Sequence, residues 1–194
     1  MENEELFRLL AGQNSFRLEP ELKTRLNEII RRESFSKNHL ILKPGQIATR
    51  LWFIEKGSAL GFAYKEEKKI PFMYWDEKEV MVSIHSFFSQ AVSDTYIELL
   101  EPSILLSISY EEVLELIKLY PETNGYIRKI MDNYQHMSEK RIFRFASFTP
   151  EEHYLYLIRN RPTIFRKVSV ENIAAYLGIS RKTLNRIRNR TRRM

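Results

Sequence analysis

Residues 170–190 read VENIAAYLGISRKTLNRIRNR, and the spacing within them predicts two helices joined by a tight turn. Ile173, Ala174 and Leu177 recur at helical intervals and line one face of the first helix. Gly178 follows, where a left-handed backbone ends that helix without a Cβ clash. Ile179 points back into the small core, and Ser180 supplies a hydroxyl cap for the next helix. Leu184 and Ile187 make the buried face of that second helix, which leaves Arg181, Lys182, Asn185, Arg186 and Arg188 free to face outward. A DNA major groove admits one α-helix, Arg and Lys donors match guanine O6 and N7, and Asn pairs with adenine. The stretch therefore reads as a helix-turn-helix whose second helix meets base edges. A generic helical hairpin with a solvated basic face would not need the small Ala174, the Gly turn, Ile179 and two spaced anchors together.

The charge is concentrated in the same place. The 194-residue chain has a net charge of +6. Eleven of its 31 basic residues but one of its 25 acidic ones, Glu171, lie from Arg159 onward, so that segment is +10 and the remaining 20 bases and 24 acids give −4. Attraction to phosphates with counterion release is the natural use of such a segment. The 43% hydrophobic fraction supplies a core, and no apolar run is long enough to predict a membrane span. The opening MENEELFRLL is acidic and lacks a signal-peptide pattern. The absence of cysteine excludes disulfides, thiolate iron–sulfur clusters and Cys-based zinc sites, and a cytoplasmic chain is expected.

Upstream, residues 3–11 predict a short amphipathic helix with Leu6, Leu9 and Leu10 inward, and Pro20 to Arg32 a second with Leu22, Leu26, Ile29 and Ile30 as its stripe. From Glu33 to Ser109 short apolar strands alternate with turns: HLILKPG, RLWFIEKG, SALGFAY, IPFMYW, EVMVS, TYIELLEP and SILLSIS. Their β-branched and aromatic content predicts an antiparallel barrel or sandwich, with the charged run 65–69 as a hairpin tip and 83–93 as a short interrupting helix. Tyr110 to Leu119 predicts a helix with Val113, Leu114 and Ile117 inward. A longer helix spans about 121–147, with Ile127, Ile130, Met131, Tyr134 and Met137 at near-heptad spacing, a stripe expected to pack both on the roll and on a twin subunit; Arg141 and Arg144 continue its register poorly. Thr149-Pro150-Glu151-Glu152 marks a boundary, with a Thr cap, Pro at the first helical position and a capping box. A sensor domain over 1–148 and a DNA-reading domain over 149–194 are expected.

The order of these parts resembles the Crp/Fnr family of bacterial transcription regulators. Leu42-Lys43-Pro44-Gly45-Gln46 and Leu51-Trp52-Phe53-Ile54-Glu55-Lys56-Gly57 are similar to the family's roll signatures, Gln135 to Lys140 to the segment where members dimerise and meet ligand, and GISRKTLNRI to the family's recognition helix. The resemblance implies an α+β chain: a double-stranded β-helix, or jelly roll, of the cyclic-nucleotide-binding kind, a long dimerisation helix, and an all-α helix-turn-helix domain of a short, wingless type. It implies base contacts by Arg181, Lys182 and Arg186, joined by Asn185, and phosphate contacts by Ser169, Ser180 and Thr183, with Arg188 and Arg190 beside them. Lys182 stands where the family usually has Glu. A Glu accepts from cytosine N4 whereas a Lys only donates, so a different preferred sequence is expected. Ser138, Tyr134 and Met137 are the implied effector contacts. A homodimer on double-stranded palindromic DNA, RNA polymerase and an unknown small-molecule effector are the implied partners, with no cofactor and no metal. The family's nucleotide cassette offers a Gly-Glu pair and a later Arg. Here no Gly, Glu or Arg lies between Met81 and Tyr96, and Asp94 stands near the expected Arg, where it would repel a phosphate. A response to cAMP is therefore not expected.

Two other classes fit parts of this pattern. A cupin-like metalloenzyme needs clustered ligands, but His39, His85, His136 and His153 are far apart in different predicted elements. A small-molecule sensor with a vestigial DNA end would use Trp52, Phe53, Phe72, Tyr74, Trp75, Phe87 and Phe88 as pocket walls, residues that also make an ordinary core.

Overall fold

A computed structural model describes residues 6–7 and 18–191. Leu9, Leu10 and residues 192–194 lie outside the described residues, whereas Leu6 is helical and buried. Helix α1 (Pro20–Ile29) opens on its proline and buries Leu22 and Leu26. Eight antiparallel strands follow: β1 (Arg31–Phe35), β2 (Leu40–Leu42), β3 (Arg50–Lys56), β4 (Ala59–Lys65), β5 (Lys68–Trp75), β6 (Val80–Met81), β7 (Tyr96–Leu99) and β8 (Ser103–Ser109). They form two four-stranded sheets, ordered β1-β8-β3-β6 and β2-β7-β4-β5. Helix α2 (Ile84–Ser89) interrupts the roll between β6 and β7.

The central strands of the first sheet, β3 and β8, are buried on both faces. Phe53 pairs with Leu106 and Ile54 with Leu105. Because side chains alternate along a strand, the first pair faces outward and the second inward. Leu51, Phe53, Leu106 and Ile108 meet the helices that cover the sheet, while Ile54, Leu105, Trp75, Met81, Phe87 and Leu99 fill the space between the sheets. The aromatic residues weighed as pocket walls thus divide: Phe53, Tyr74, Trp75 and Phe87 are buried, whereas Phe72 is partly exposed. At the β3–β4 turn Gly57 has φ +114, and a Cβ there would sit 2.1 Å from the Ser103 hydroxyl. The β4–β5 turn places Glu66 and Glu67 at φ 50 and 62, the twist a two-residue hairpin requires.

Two details depart from the sequence expectation, and a third meets the roll-facing part of it. The helix expected to Arg32 stops at Ile29, and Arg31–Phe35 is an edge strand exposed along most of its length, so no alternation marks it. In α3 (Tyr110–Leu119) the buried residues are Val113 and Leu116, whereas Leu114 is exposed. The long helix α4 (Thr123–Ser147) turns Tyr126 and Ile130 onto its own roll.

Four helices complete the chain: α5 (Pro150–Asn160), α6 (Ile164–Lys167), α7 (Val170–Tyr176) and α8 (Arg181–Thr191). At the start of α5 the Thr149 hydroxyl accepts from Glu152 N and the Glu152 carboxylate accepts from Thr149 N, a complete capping box. These helices are docked on the roll. Helix α7 packs on β5, and Leu60, Phe62 and Tyr74 of the second sheet join Tyr154, Leu157, Ile164, Ile173, Leu177, Leu184 and Ile187 in one apolar cluster.

Candidate nucleic-acid interface

The 170–191 segment forms the two expected helices. Ile173, Ala174 and Leu177 are buried, Gly178 adopts φ +69, and Ile179 packs on the same cluster. Ser169 caps α7 by accepting from Asn172 N, at 3.2 Å, and Ser180 opens α8 by accepting from Thr183 N, at 3.0 Å. Leu184 and Ile187 anchor α8 inward, so that Arg181, Lys182, Asn185, Arg186 and Arg190 stand exposed on the other side, with Arg188 and Thr183 at the margin. One helix thus presents a continuous cationic face with an amide among the guanidinium groups. Arg181 is engaged by Glu171 and Arg190 by Glu151, both at the surface, where such pairs hold weakly and yield to a phosphate. Lys182 and Arg186 have no ion pair among the described residues.

Of the five residues expected at a subunit interface, two are occupied within their own chain. Ile130 is buried in the roll core. The Tyr134 hydroxyl accepts from Trp75 Nε1 at 2.8 Å and from Val82 N at 3.1 Å, and donates to the Val80 carbonyl at 2.8 Å. Burial raises its pKa. Ile127 is half-buried against the same core, and Met137 is also half-buried, which leaves Met131 exposed. Among the exposed positions of α4 are Met131, Gln135, Ser138, Ile142 and Phe145, which recur at four-three spacing, and Phe143. Ile142 is 69% exposed and Phe145 46%.

A cavity of about 490 Å³ lies between roll and α4, lined by Trp75, Val82, Ser83, Asp94, Tyr134, Gln135 and Ser138 among others. Two of the three expected effector residues, Tyr134 and Ser138, border it; Met137 lines a separate cavity nearer the C-terminal helices. Among the described residues, Asp94 is the only charged side chain lining the larger cavity.

Residues that sequence reasoning passed over hold the C-terminal helices to the roll. Asp76 accepts from Thr163 and from Lys167, Lys167 also meets Glu101 at 2.7 Å, Tyr74 donates to Thr163 at 3.2 Å, and Arg161 pairs with Glu79. Burial pushes the Asp76 carboxyl up, but the Thr163 hydroxyl and Lys167 outweigh it and leave its pKa below the ordinary range. These partners lie more than sixty residues apart in the chain, so no local spacing reveals them. His153 is 5% exposed, ringed by Phe145 and Phe148. Burial and the Arg141 and Arg144 charges pull its pKa down to about 4. Among the described residues, no group of three or more His, Asp and Glu could hold a metal ion, and no helix is long and apolar enough to cross a membrane.

Solved structures superpose on this architecture over nearly its whole length. CLP of Xanthomonas campestris, a c-di-GMP responsive global regulator, is 16% identical with a TM-score of 0.69, covering 90% of this chain and 92% of its own. A protein of Eubacterium rectale assigned to the Crp/Fnr family of transcriptional regulators gives a TM-score of 0.69 at 16% identity, over 88% of this chain and 82% of its own. The fold is that of the Crp/Fnr regulators. FixK2 of Bradyrhizobium japonicum shares it as well, at 11% identity and a TM-score of 0.70 over 84% of each chain. No protein-family model and no curated protein sequence matches the chain. The Crp/Fnr likeness thus lies in the arrangement of elements and in the few motif residues, not in overall identity.

Proposed function

We propose that this chain is a transcription regulator that binds double-stranded DNA as a homodimer, with residues 1–148 as a sensor unit and 149–194 as the DNA-reading unit. The observation that carries this is α8 itself: anchored by Leu184 and Ile187, it keeps Lys182, Asn185 and Arg186 exposed on one side. Lys182, Arg186, Arg181 and Asn185 are the base readers, and Ser169, Ser180, Thr183, Arg188 and Arg190 meet phosphates. The Crp/Fnr fold of the whole chain supports the same function. The dimer seam runs along Met131, Gln135, Ser138, Ile142 and Phe145, exposed positions at coiled-coil spacing. The cavity beside it is the effector site. With Asp94 as its only charged wall among the described residues, it does not suit a cyclic phosphate, so cAMP leaves DNA binding unchanged.

The test is a fluorescence-anisotropy titration of duplex DNA with the full chain and with K182Q/R186Q, with and without cAMP. The wild type is expected to bind tightly in a salt-dependent way and the double variant weakly. Equal binding by the two proteins would remove α8 from the interface.

A further inference from the structure

The second cavity, of about 280 Å³, lies where the roll, the long helix and the C-terminal helices meet. Strand β5 contributes Phe72 to Tyr74, the last turns of α4 contribute Arg141 and Arg144, α5 contributes Tyr156 and Arg161, and α7 contributes Tyr176. Among the described residues no carboxylate lines it. Arg161 is paired with Glu79, whereas neither α4 arginine has an ion pair among the described residues. Arg141 donates to the Tyr176 carbonyl at 3.1 Å and lies over the Tyr176 and Phe145 rings. Arg144 lies 4.2 Å over the Tyr156 ring, and its Nε is buried with no acceptor among the described residues.

Two guanidinium groups one helical turn apart repel each other, more so where burial lowers the local dielectric. Burial and the charge of Arg144 pull the Arg141 pKa down. A buried N–H left without an acceptor costs the full desolvation of that group. An anion between these side chains relieves both costs. Guanidinium forks match phosphate oxygens in paired hydrogen bonds, and the rings beneath them hold the forks in plane. The space falls at the small end of ligand pockets, which run from roughly 300 Å³; it suits a phosphate with a modest organic group and excludes a polymer.

We propose that this cavity is a binding site for a small phosphate-bearing anion, held by Arg141 and Arg144 with Lys140 at the rim, and that its occupant ties the long helix and the C-terminal helices to the roll. The site is separate from the outward face of α8, and none of its cations belongs to the proposed DNA contacts. His153, at the back of the cavity, reports on it. Burial, and after it the charges of Arg141 and Arg144 on α4, hold its pKa down, and the Phe145 and Phe148 rings pack on it. An anion on the two arginines therefore raises it.

The experiment is calorimetric titration of the full chain with inorganic pyrophosphate, in the absence of DNA, using wild type, R144Q and K182Q/R186Q. Thermal melts confirm that each is folded. One equivalent is expected per wild-type chain, with affinity lowered about tenfold or more in R144Q, as loss of charge-assisted hydrogen bonds implies, and unchanged in K182Q/R186Q. In the wild type, nuclear magnetic resonance is expected to show the His153 titration moving upward when pyrophosphate is added. Binding by folded R144Q equal to wild type, loss of binding in K182Q/R186Q, or a His153 titration that ignores pyrophosphate would each overturn the assignment. If R144Q does not fold, the His153 measurement on the unaltered chain decides.

Discussion

Arg186 stands on the exposed side of α8 with no ion pair among the described residues, one turn from Lys182. Replacing it with Ala should weaken operator binding by about 1–3 kcal/mol and relax preference at a single base pair. Titration against duplexes altered one position at a time checks this, and an unchanged profile would contradict the assignment. His153 behaves differently. Its folded pKa, about 4, lies below the ordinary 6.5, so between those values the unfolded chain holds the extra proton. Stability contributed by neutral His153 is complete above the unfolded value and is lost as pH falls toward 4. Denaturation midpoints should drop across that window in the wild type and drop less in H153F, which keeps the aromatic packing. The outward residues of α8 were legible because their period is local. His153 was not, because two arginines and two phenylalanines brought in by the long helix set its environment.

At the level of elements, the turn between α7 and α8 depends on Gly178. Its φ of +69 disfavours any side chain, and a Cβ would stand 3.1 Å from the Phe145 ring. G178A should destabilise the C-terminal helices by about 1–2 kcal/mol, the cost of a left-handed L-residue, read as a lower midpoint in chemical unfolding; an unchanged midpoint would mean the turn relaxes freely. That glycine, the Thr149–Glu152 box and seven of the eight strands were readable because each leaves a short-range signature: a positive φ, a paired cap, or alternation. β1 left none, since an exposed edge strand has no apolar face. On α4, Ile130 and Tyr134 have coiled-coil spacing, but the sequence does not show that Trp75, Val80 and Val82 claim the Tyr134 hydroxyl, because those partners come from distant strands. Arg141 and Arg144, which broke the heptad register, turn toward the junction cavity instead.

Across the whole molecule, the C-terminal helices are held to the roll by an apolar contact and a rim of charge. Leu60, Phe62 and Tyr74 form the apolar part, and Asp76, Glu79 and Glu101 clasp Thr163, Arg161 and Lys167 around it. Removing one side of such half-buried pairs leaves the other unmatched. D76N/E79Q should therefore raise hydrogen exchange in α6, α7 and β5 while β3 and β8 keep their protection; uniform exchange across both sets would place the hold elsewhere. A ligand alters this docking only if it prefers one arrangement over another. The proposed function requires the charge-bearing face of α8 to reach a duplex. Selection of bound sequences from a library of randomised duplexes by the full chain measures that directly. The expected result is an inverted repeat whose half-sites lie about 34 Å apart, the spacing two symmetry-related recognition helices impose, and a recovered pool without any enriched repeat would contradict it.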